Sequence, residues 1–244
     1  MKALILAAGY ATRLYPLTKE YSKPLLKVKN RPIIDHIINR LKLIKELDEI
    51  IVVTNSKFIA RFREWKSGIS IKKQITLVND LTKSNADRLG AIGDISFVLN
   101  KNQIKEDLLV IGGDNLFSGG LNKFINFAKR NKHGVSIGVY NLKSLKDVSR
   151  YGVVKIDKTN KVIEFKEKPQ NPRSHLVAMC LYYIPRQYLK LVKDYIRLKK
   201  STDAVGNYID WLKDRVNTCG FVFKGSWYDV GDHKYLSAAK RNFA

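Results

Sequence analysis

The sequence predicts an α/β protein with a doubly wound, mostly parallel central sheet and a small antiparallel β insertion. Short apolar runs that indicate buried strands alternate with segments of helical periodicity, as in a parallel sheet with right-handed crossovers. Two runs between residues 150 and 169 depart from this order, because their alternating apolar and polar residues are typical of an antiparallel hairpin. With 244 residues and 45% hydrophobic content, the chain can bury a sizeable core in one domain.

The first strand leads into a candidate phosphate-binding turn. The apolar run Ala3–Ala8 indicates a strand buried on both faces, and it breaks at Gly9. The turn continues to Arg13, and a second cation, Lys23, follows beside a proline. Small residues let the backbone approach a ligand, while N–H groups and two cations supply positive potential. We therefore expect a polyphosphate to bind here, although neither the Walker P-loop nor the GxGxxG pattern is present.

The next elements continue the alternation of helices and strands. We predict a helix that begins at Arg31-Pro32 with apolar residues through Ile44, a strand Glu49–Thr54, a helix capped by Ser56 that runs through Trp65, and a strand Gln74–Val78. Ligands of such sheets bind outside the carboxyl ends of the strands. The loop after the strand Gln74–Val78 should therefore lie on the same rim as the Gly9 turn.

That loop is long and polar, and it is suited to hold a nucleobase. It runs from Asn79 to Ala91 and ends at a helix that continues to about Leu99. Side-chain amide, carboxylate and backbone groups in it can bind a base. The alternative is a surface loop in which Asp87 forms an ion pair with a nearby cation.

A second strand end carries a candidate metal ligand. The buried run Leu108–Ile111 ends in Gly112-Gly113-Asp114-Asn115, where two glycines leave space beside a carboxylate. Mg²⁺ that is bound to substrate phosphates typically uses only one or two protein carboxylates. Asp114 alone is therefore sufficient for this chemistry.

The remaining elements form the second half of the chain. We predict a strand Gly134–Val139, a hairpin over 150–157 and 162–169, a strand Val177–Ile184, helices Arg186–Leu198 and Asp203–Arg215, a strand Val216–Phe223 and a closing helix to Phe243. Asp203, Asn207 and Asp210 are candidate acceptor contacts without an assigned role.

The chain is strongly basic, which raises the question of nucleic-acid binding. Forty-five Lys and Arg against twenty-two Asp and Glu give a formal charge of +23, but the cations are spread over nearly every predicted helix without a known nucleic-acid-binding motif. This distribution favours a solvated surface over specific nucleic-acid binding.

The two cysteines, Cys180 and Cys219, suggest neither a zinc site nor a disulfide framework. We expect no membrane span and a cytoplasmic protein, with a homo-oligomer left open.

The first segment resembles the sugar-1-phosphate nucleotidylyltransferases, the NDP-sugar pyrophosphorylases related to glucose-1-phosphate thymidylyltransferase. The positions in register with that family are Ala8-Gly9-Tyr10-Ala11-Thr12-Arg13-Leu14, Pro16, Thr18, Lys23 and Leu26-Lys27-Val28. Gly-Asp-Asn at 113–115, Tyr-Gly-Val-Val at 151–154, Glu-Lys-Pro at 167–169 and Trp-x-Asp-x-Gly at 227–231 also match. The resemblance spans nearly the whole chain.

The resemblance implies a single nucleotidyltransferase domain over 1–244, with 1–115 as the nucleotide-binding half and 116–244 as the acceptor-binding half. The nucleotide would bind Ala8, Gly9, Tyr10, Ala11, Thr12, Arg13, Lys23, Asn79, Asp80, Arg88 and Leu89. The sugar phosphate would bind Asn115, Gly152, Glu167, Lys168 and Ala178. Asp114 and Asp229 would bind Mg²⁺, and Arg13, Lys23 and Asp114 would be catalytic. Asp229 as a turn residue or helix N-cap is the structural alternative.

Two departures from the family pattern affect the substrates. Arg88 stands where the family has glycine and Ala91 where it has glutamine, so the base stays open among thymine, uracil and cytosine. Ala178-Met179-Cys180 replaces the Val-Thr-Gly that lines the sugar, so glucose 1-phosphate itself is in doubt.

The predicted reaction is attack of a sugar 1-phosphate on the α-phosphorus of an NTP, which releases pyrophosphate. Three alternatives remain at this point. One is a cytidylyltransferase for phosphocholine or another phospho-alcohol, in which Trp211, Trp227, Tyr182 and Tyr183 could form an aromatic cage. The others are a non-catalytic binding module of the same fold and nucleic-acid binding driven by net charge.

Overall fold

The structure is a computed structural model that describes residues 1–131 and 133–243, and only the backbone of Lys146. Its strands are β1 (Lys2–Leu6), β2 (Lys27–Val28), β3 (Arg31–Pro32), β4 (Glu49–Thr54), β5 (Gln74–Asn79), β6 (Leu108–Gly112), β7 (Asn115–Phe117), β8 (Gly134–Asn141), β9 (Gly152–Ile156), β10 (Val162–Glu167), β11 (Leu176–Ile184), β12 (Asn217–Phe223) and β13 (Trp227–Asp229). Its α-helices are α1 (Ile33–Leu41), α2 (Ile59–Ser67), α3 (Gly90–Lys101), α4 (Leu121–Arg130), α5 (Leu145–Val148), α6 (Lys190–Arg197), α7 (Val205–Leu212) and α8 (His233–Asn242). Short 3₁₀ turns cover Thr12–Leu14, Lys23–Leu25 and Arg186–Tyr188.

One large sheet organises the chain. Its strands follow the order β10-β9-β11-β6-β1-β4-β5, with β8 beside β11 and β12 beside β8. The strands β6, β1, β4 and β5 run parallel, as do β8 and β12, whereas β11 is antiparallel to β6, β8 and β9. The predicted α/β class is confirmed, and the predicted hairpin is β9–β10. The antiparallel part also includes β11, because this strand reverses the chain direction beside β6.

Helices cover both faces of the sheet. One core cluster contains buried residues of α1, α2 and α4, and a second contains those of α3, α6 and α7. A smaller third cluster lies beneath α8 and includes Leu14 and Val230, which flank the candidate site residues Arg13 and Asp229. The rim at the carboxyl ends of β1 and β6 is thus supported from three sides.

The predicted helix at Arg31-Pro32 begins later than expected. Arg31 and Pro32 form β3, which pairs with Lys27 and Val28, and α1 starts at Ile33. The intervening Lys29 and Asn30 have φ angles of 49° and 62°, as in the tight turn of a two-residue hairpin. Because this turn lacks glycine, it was difficult to predict from the sequence.

Ser56 does not cap the second helix. The helix α2 starts at Ile59, and the Oδ1 atom of Asn55 accepts the Phe58 N–H in the preceding turn, at 3.1 Å. The Ser56 hydroxyl instead donates to Asn79 Oδ1. The helices predicted over 186–198 and 203–215 are also shorter, as α6 and α7 show. Among the described residues, no helix is long and apolar enough to cross a membrane.

Candidate active site

Two neighbouring strand ends form the centre of the site. Asp114 lies just past the end of β6, and the Gly9 turn follows β1, its parallel neighbour. The Gly113 N–H donates to the Leu6 carbonyl at 2.9 Å. A Cβ atom on Gly113 would lie 2.6 Å from that oxygen, so the close approach of the two strand ends requires glycine.

The turn after β1 is held in shape through its carbonyl groups. The Asn55 side chain donates to the Ala8 carbonyl at 2.7 Å, and the Thr18 hydroxyl donates to the Ala11 carbonyl at 2.8 Å. Ala11 itself has a left-handed backbone, with φ of 49°. These bonds satisfy two carbonyl oxygens that would otherwise repel an anion at this turn.

A cavity of about 430 Å³ lies between this turn and the start of α3. Ten of the eleven predicted nucleotide-binding residues line it, namely Ala8, Gly9, Tyr10, Ala11, Thr12, Arg13, Lys23, Asp80, Arg88 and Leu89. Asn79 is not in the lining, because its Oδ1 atom accepts the Leu81 N–H and the Ser56 hydroxyl and so shapes the loop. The polar loop after β5 thus faces the turn after β1, as the topology predicted.

Four charged residues meet beside this cavity. The Lys23 ammonium donates to the Asp114 carboxylate, and Asp229 lies close enough to Asp114 for the two carboxyl groups to affect each other's pKa. Burial and the neighbouring Asp114 charge raise the pKa of Asp229. Burial also acts to raise the pKa of Asp114, but the Lys23 ammonium outweighs it and the pKa is lowered. Burial acts to lower the pKa of Lys23, but Asp114 and Asp229 raise it, and the positive charge of Arg13 opposes them.

Pairing between β7 and β13 places Asp229 beside Asp114, although the two residues are far apart in the sequence. In the β7–β13 ladder, Asp229 pairs with Asn115, and the Val230 N–H donates to the Asp114 carbonyl at 3.2 Å. The helix N-cap is Asp232, which accepts the Tyr235 N–H, so Asp229 is not the capping residue.

Asn115 is used as a brace between strands. Its Nδ2 atom donates to the carbonyls of Met179 and Cys180, and its Oδ1 atom accepts the Trp227 indole N–H at 2.8 Å. Both ends of the amide are therefore engaged. The side chain fixes β7, β11 and β13 relative to one another.

A second cavity, of about 270 Å³, lies on the other side of the two aspartates. All five predicted sugar-phosphate-binding residues line it, namely Asn115, Gly152, Glu167, Lys168 and Ala178, together with Asp114 and Asp229. Burial raises the pKa of Glu167, while Lys168 opposes this shift. A Cβ atom on Gly206 would collide with Glu167 Oε2, so a glycine on α7 lets the carboxyl group fit. The Lys168 side chain is 62% exposed, and its ammonium lies 3.7 Å from Glu167.

The four aromatic residues considered as a cage do not gather at one site. Tyr182 and Trp227 line the acceptor cavity. Trp211 lines a cavity beside α7, and Tyr183 lines one near Asp107. Of the four residues considered, only Tyr182 and Trp227 could therefore contribute to a cage in the acceptor cavity.

Some residues of the site were not assigned from the sequence. Asp203 lines both cavities and binds Arg88 through two bonds, of 3.0 and 2.7 Å. Asn207 and Asp210, the other two unassigned candidates, line the cavity beside α7 instead. Arg150, in the acceptor cavity, donates to Asp232 at 2.6 Å. In the sequence, the only indication of a role for Arg150 was its position directly before the Tyr-Gly-Val-Val motif.

Buried Asp94 in the nucleotide cavity had no sequence signal, because its helix reads as apolar around it. No group of three or more His, Cys, Asp or Glu residues that could hold a metal ion occurs among the described residues. The candidate metal ligands at the centre are therefore Asp114 and Asp229. Both carboxyl groups line the second cavity, and the pairing of β13 with β7 places them side by side, which fits a Mg²⁺ ion that takes its other ligands from phosphates.

This chain is similar to known proteins over almost its whole length. A family model described as nucleotidyl transferase matches residues 2–244. The bifunctional protein GlmU of Methanococcus aeolicus is 29% identical over 231 residues, which cover 95% of this chain and 51% of that protein. The glucose-1-phosphate thymidylyltransferase of Neisseria meningitidis serogroup A is 28% identical over 251 residues, which cover 98% and 81% of the two chains. The chain thus spans about half the length of its GlmU relatives.

A solved structure shows the same fold. It is a Bacillus anthracis protein assigned as a glucose-1-phosphate thymidylyltransferase and crystallised with a sucrose. The TM-score is 0.79 at 24% identity, with 99% of this chain and 94% of that chain covered.

Proposed function

This chain belongs to the nucleotidyl transferase family, and we propose that it transfers a nucleotidyl group from an NTP to a sugar 1-phosphate, giving an NDP-sugar and pyrophosphate. The observation that carries the proposal is the meeting of two cavities at one charged centre. Lys23 lines the first cavity, Asp114 and Asp229 line the second, and Lys23 contacts Asp114 directly. Relatives named as GlmU and as glucose-1-phosphate thymidylyltransferase support the same class of reaction.

In the first cavity, the triphosphate would lie along the turn after β1. The two cations would neutralise it, with Arg13 at the leaving pyrophosphate and Lys23 at the α-phosphate. Both reactants are anionic, so repulsion and misalignment make up much of the barrier. The Lys23 ammonium, on a side chain that is only 17% exposed, would lower it without reorganising during the reaction.

In the second cavity, the sugar phosphate would lie against β9, β10 and β11. The Lys168 ammonium would bind the phosphate, and the Glu167 carboxylate would accept hydrogen bonds from sugar hydroxyls. Gly152 and Ala178 line the same cavity, and the absence of a side chain at Gly152 makes room for Phe165 and Glu167. Arg150 adds a second positive charge to the wall of this cavity.

The reaction needs no covalent enzyme intermediate. A phosphate oxygen of the acceptor forms a bond to the α-phosphorus, and the bond from that phosphorus to the bridging oxygen of the leaving pyrophosphate breaks. Asp114 and Asp229 would hold the Mg²⁺ ion, which neutralises charge on the phosphate oxygens when bound. Lys23, placed against Asp114, keeps the carboxylate ionised and ready to bind a cation.

Pyrophosphate release tests this function. The assay would combine CTP, UTP, dTTP, GTP and ATP with a panel of sugar 1-phosphates and with phosphocholine, in the presence of Mg²⁺. We expect release with at least one NTP and sugar 1-phosphate pair, and none without the acceptor. Release with phosphocholine alone, or no release with any pair while the protein is folded, would contradict the proposal.

A further inference from the structure

A further cavity, of about 360 Å³, lies against the β9–β10 hairpin, and we call it the hairpin cavity. Its lining includes Val153 and Lys155 of β9, Lys166 of β10, and Pro169 and Arg173 of the segment that joins β10 to β11. Among the described residues, it shares none of its lining with the nucleotide cavity or the acceptor cavity. Its volume is in the range of small-molecule sites.

The strand register puts two lysines on one face of the hairpin. Lys155 lies opposite Glu164, and Val153 lies opposite Lys166. Phe165, which lies between Glu164 and Lys166, packs on the other face, in the core cluster that includes residues of α7. Because successive residues of a strand point to opposite faces, the two lysines face away from α7.

The same two strands also border the acceptor cavity. Gly152 and Glu167 line that cavity, and their chain neighbours Val153 and Lys166 line the hairpin cavity. Neighbouring strand residues point to opposite faces, so the two cavities lie on opposite sides of the hairpin. A ligand in the hairpin cavity would therefore be separate from the acceptor, although it would contact the same two strands.

Three cations converge on the hairpin cavity. Lys155 and Lys166 are diagonal neighbours in the β9–β10 ladder, and Arg173 comes from the segment beside it. Diagonal neighbours on one face of such a ladder lie about 7–8 Å apart, within reach of long side chains. All three side chains are exposed, and none forms an ion pair with a carboxylate of the described residues. Glu164 is the single carboxylate of the described lining, so the cations outnumber it three to one.

The hairpin cavity also offers neutral groups that suit a phosphate ester. The Ser174 hydroxyl accepts the Leu176 N–H at 3.1 Å, so its own proton is free to bind a ligand. Asn171 adds an exposed amide, while Val153 and Pro169 supply apolar surface. Cations around a concave surface raise the local concentration of anions more than cations spread over a convex one. The cavity thus differs from the rest of the basic surface.

We propose that the hairpin cavity binds a small phosphate-bearing molecule, at a site separate from both substrate cavities. The two ammonium groups and the guanidinium would surround the phosphate group, and Ser174 and Asn171 would donate to its oxygens. Val153 and Pro169 would contact the organic part of an ester. A nucleic acid fits less well, because it binds along an extended stripe of cations. The inference does not depend on the proposed reaction.

Backbone amide NMR of the full chain, titrated with phenyl phosphate and with inorganic phosphate, tests the inference residue by residue. We expect the amide signals of Lys155, Lys166 and Arg173 to shift and saturate with one shared Kd of about 1 mM or tighter for phenyl phosphate. Shifts confined to the Gly9 turn and the acceptor cavity, or saturation only with a short DNA duplex, would overturn the proposal. Phenyl phosphate should bind more tightly than inorganic phosphate, and the reverse order would overturn the role of the apolar wall.

Two double variants with the same loss of charge separate the cavity from the basic surface. Lys155→Gln, Lys166→Gln removes two of the three cations and should weaken the binding of phenyl phosphate at least ~10-fold. Lys158→Gln, Lys161→Gln removes two exposed lysines of the same hairpin that do not line the cavity, so the Kd should stay nearly unchanged. Equal weakening in both variants would show that net charge alone attracts the probe, which would overturn the proposal.

The outcomes for the two proposals are distinguishable. If the hairpin signals saturate but no NTP and acceptor pair yields pyrophosphate, the proposed function fails and the hairpin site stands. If pyrophosphate is released but the hairpin signals do not respond, the function stands and the hairpin site fails. If the Lys155→Gln, Lys166→Gln variant does not fold by circular dichroism, the wild-type titration and the single variant Arg173→Gln, with the same expected direction, decide the question.

Discussion

At the residue scale, Lys23 has the largest expected effect on activity. It contacts Asp114 and lines the nucleotide cavity, so removing its charge removes a fixed cation beside the reacting phosphates. We expect Lys23→Gln to lower kcat/KM roughly 30- to 1,000-fold. This factor corresponds to a loss of about 2–4 kcal/mol of transition-state stabilisation. Pyrophosphate release measures this loss.

Lys19→Gln is the matched control. Lys19 lies in the same segment and is exposed, so the same loss of one charge should leave kcat/KM nearly unchanged. Similar activity of the two variants, both folded by circular dichroism, would remove Lys23 from the mechanism.

Asp94 should make the stability of the protein depend on pH. Below about pH 4, the carboxyl group is protonated in both the folded and unfolded chain. Between about pH 4 and 8, only the folded state keeps the proton, because burial and the Asp80 charge raise the pKa of Asp94 to about 8. Its contribution to the free energy of unfolding is thus complete below the unfolded pKa and is lost as pH rises through the folded pKa, by up to about 1.4 kcal/mol per pH unit.

The amide group introduced by Asp94→Asn does not titrate, so this variant isolates the effect of Asp94 on the pH dependence of stability. Relative to the wild type, its free energy of unfolding from urea titrations should increase between pH 5 and 8 and then level off. Asp80, whose pKa is raised mainly by its own burial, is present in both proteins. A difference that is flat over this range would place the proton elsewhere.

The most informative signals for single residues were motifs that coincide with strand ends. Arg13, Lys23, Asp114 and Asp229 were named from short patterns, and the structure brings them to one place. The sequence could not show that Asn79 faces its own loop or that Asp94 lies in the cavity wall. Both facts depend on which side of an element faces the ligand, and the loop between β5 and α3 is too irregular for periodicity to determine that.

At the scale of elements, the wall between the two cavities depends on the start of α3. The N–H groups of Ala91 and Ile92 donate to the carbonyls of Asp203 and Thr202, and the Thr202 hydroxyl donates to the Leu89 carbonyl at 2.8 Å. The Arg88–Asp203 ion pair adds little stability, because both side chains are substantially exposed. The backbone contacts therefore determine how the segment before α7 packs on α3.

Gly90→Ala should disrupt this wall. Gly90 has φ of +76°, and a Cβ atom would lie 2.6 Å from the Thr202 carbonyl oxygen. We expect a loss of about 1–3 kcal/mol in the free energy of unfolding and weaker binding of both substrates, since Gly90 and Asp203 line the cavities. Urea titration and the two KM values measure these effects.

Gly120→Ala is the control for the glycine substitution. Gly120 has φ of −77°, and a Cβ atom there meets nothing within 4 Å. Its unfolding free energy and both KM values should stay close to the wild type. A Gly90 variant as stable and active as this control would show that the contact with Thr202 is dispensable.

The parallel elements were predictable because their apolar runs are continuous and buried on both faces. The bounds of β1, β4 and β6 lie close to the predicted ones. The start of α1 and the cap of α2 were wrong, since a two-residue hairpin and the turn that begins at Asn55 interrupt the periodicity. Local hydrogen bonds of single residues decide such boundaries, and composition carries little information about them.

At the scale of the whole molecule, the two halves of the chain share one sheet and two cores. The strand β11 of the acceptor half pairs directly with β6 of the nucleotide half, at Leu181–Ile111 and its neighbours. Both large core clusters contain residues from before and after position 115. The halves therefore lack separate cores, which favours the prediction of a single folding unit over 1–244.

Tryptophan fluorescence can test whether the chain unfolds as a single unit, because each half contains at least one of the three tryptophans. Trp65 lies on α2 in the nucleotide half, and Trp211 and Trp227 lie in the acceptor half. In Trp65→Phe, the two remaining tryptophans report only on the acceptor half. In the double variant Trp211→Phe, Trp227→Phe, the remaining tryptophan reports only on the nucleotide half. In each variant, we expect the fluorescence and circular dichroism transitions in urea to coincide, because unfolding either half would strip β6 or β11 of its partner and expose both cores. Within one variant, a fluorescence midpoint clearly different from the circular dichroism midpoint would mean that the halves unfold independently and that the shared sheet does not couple them.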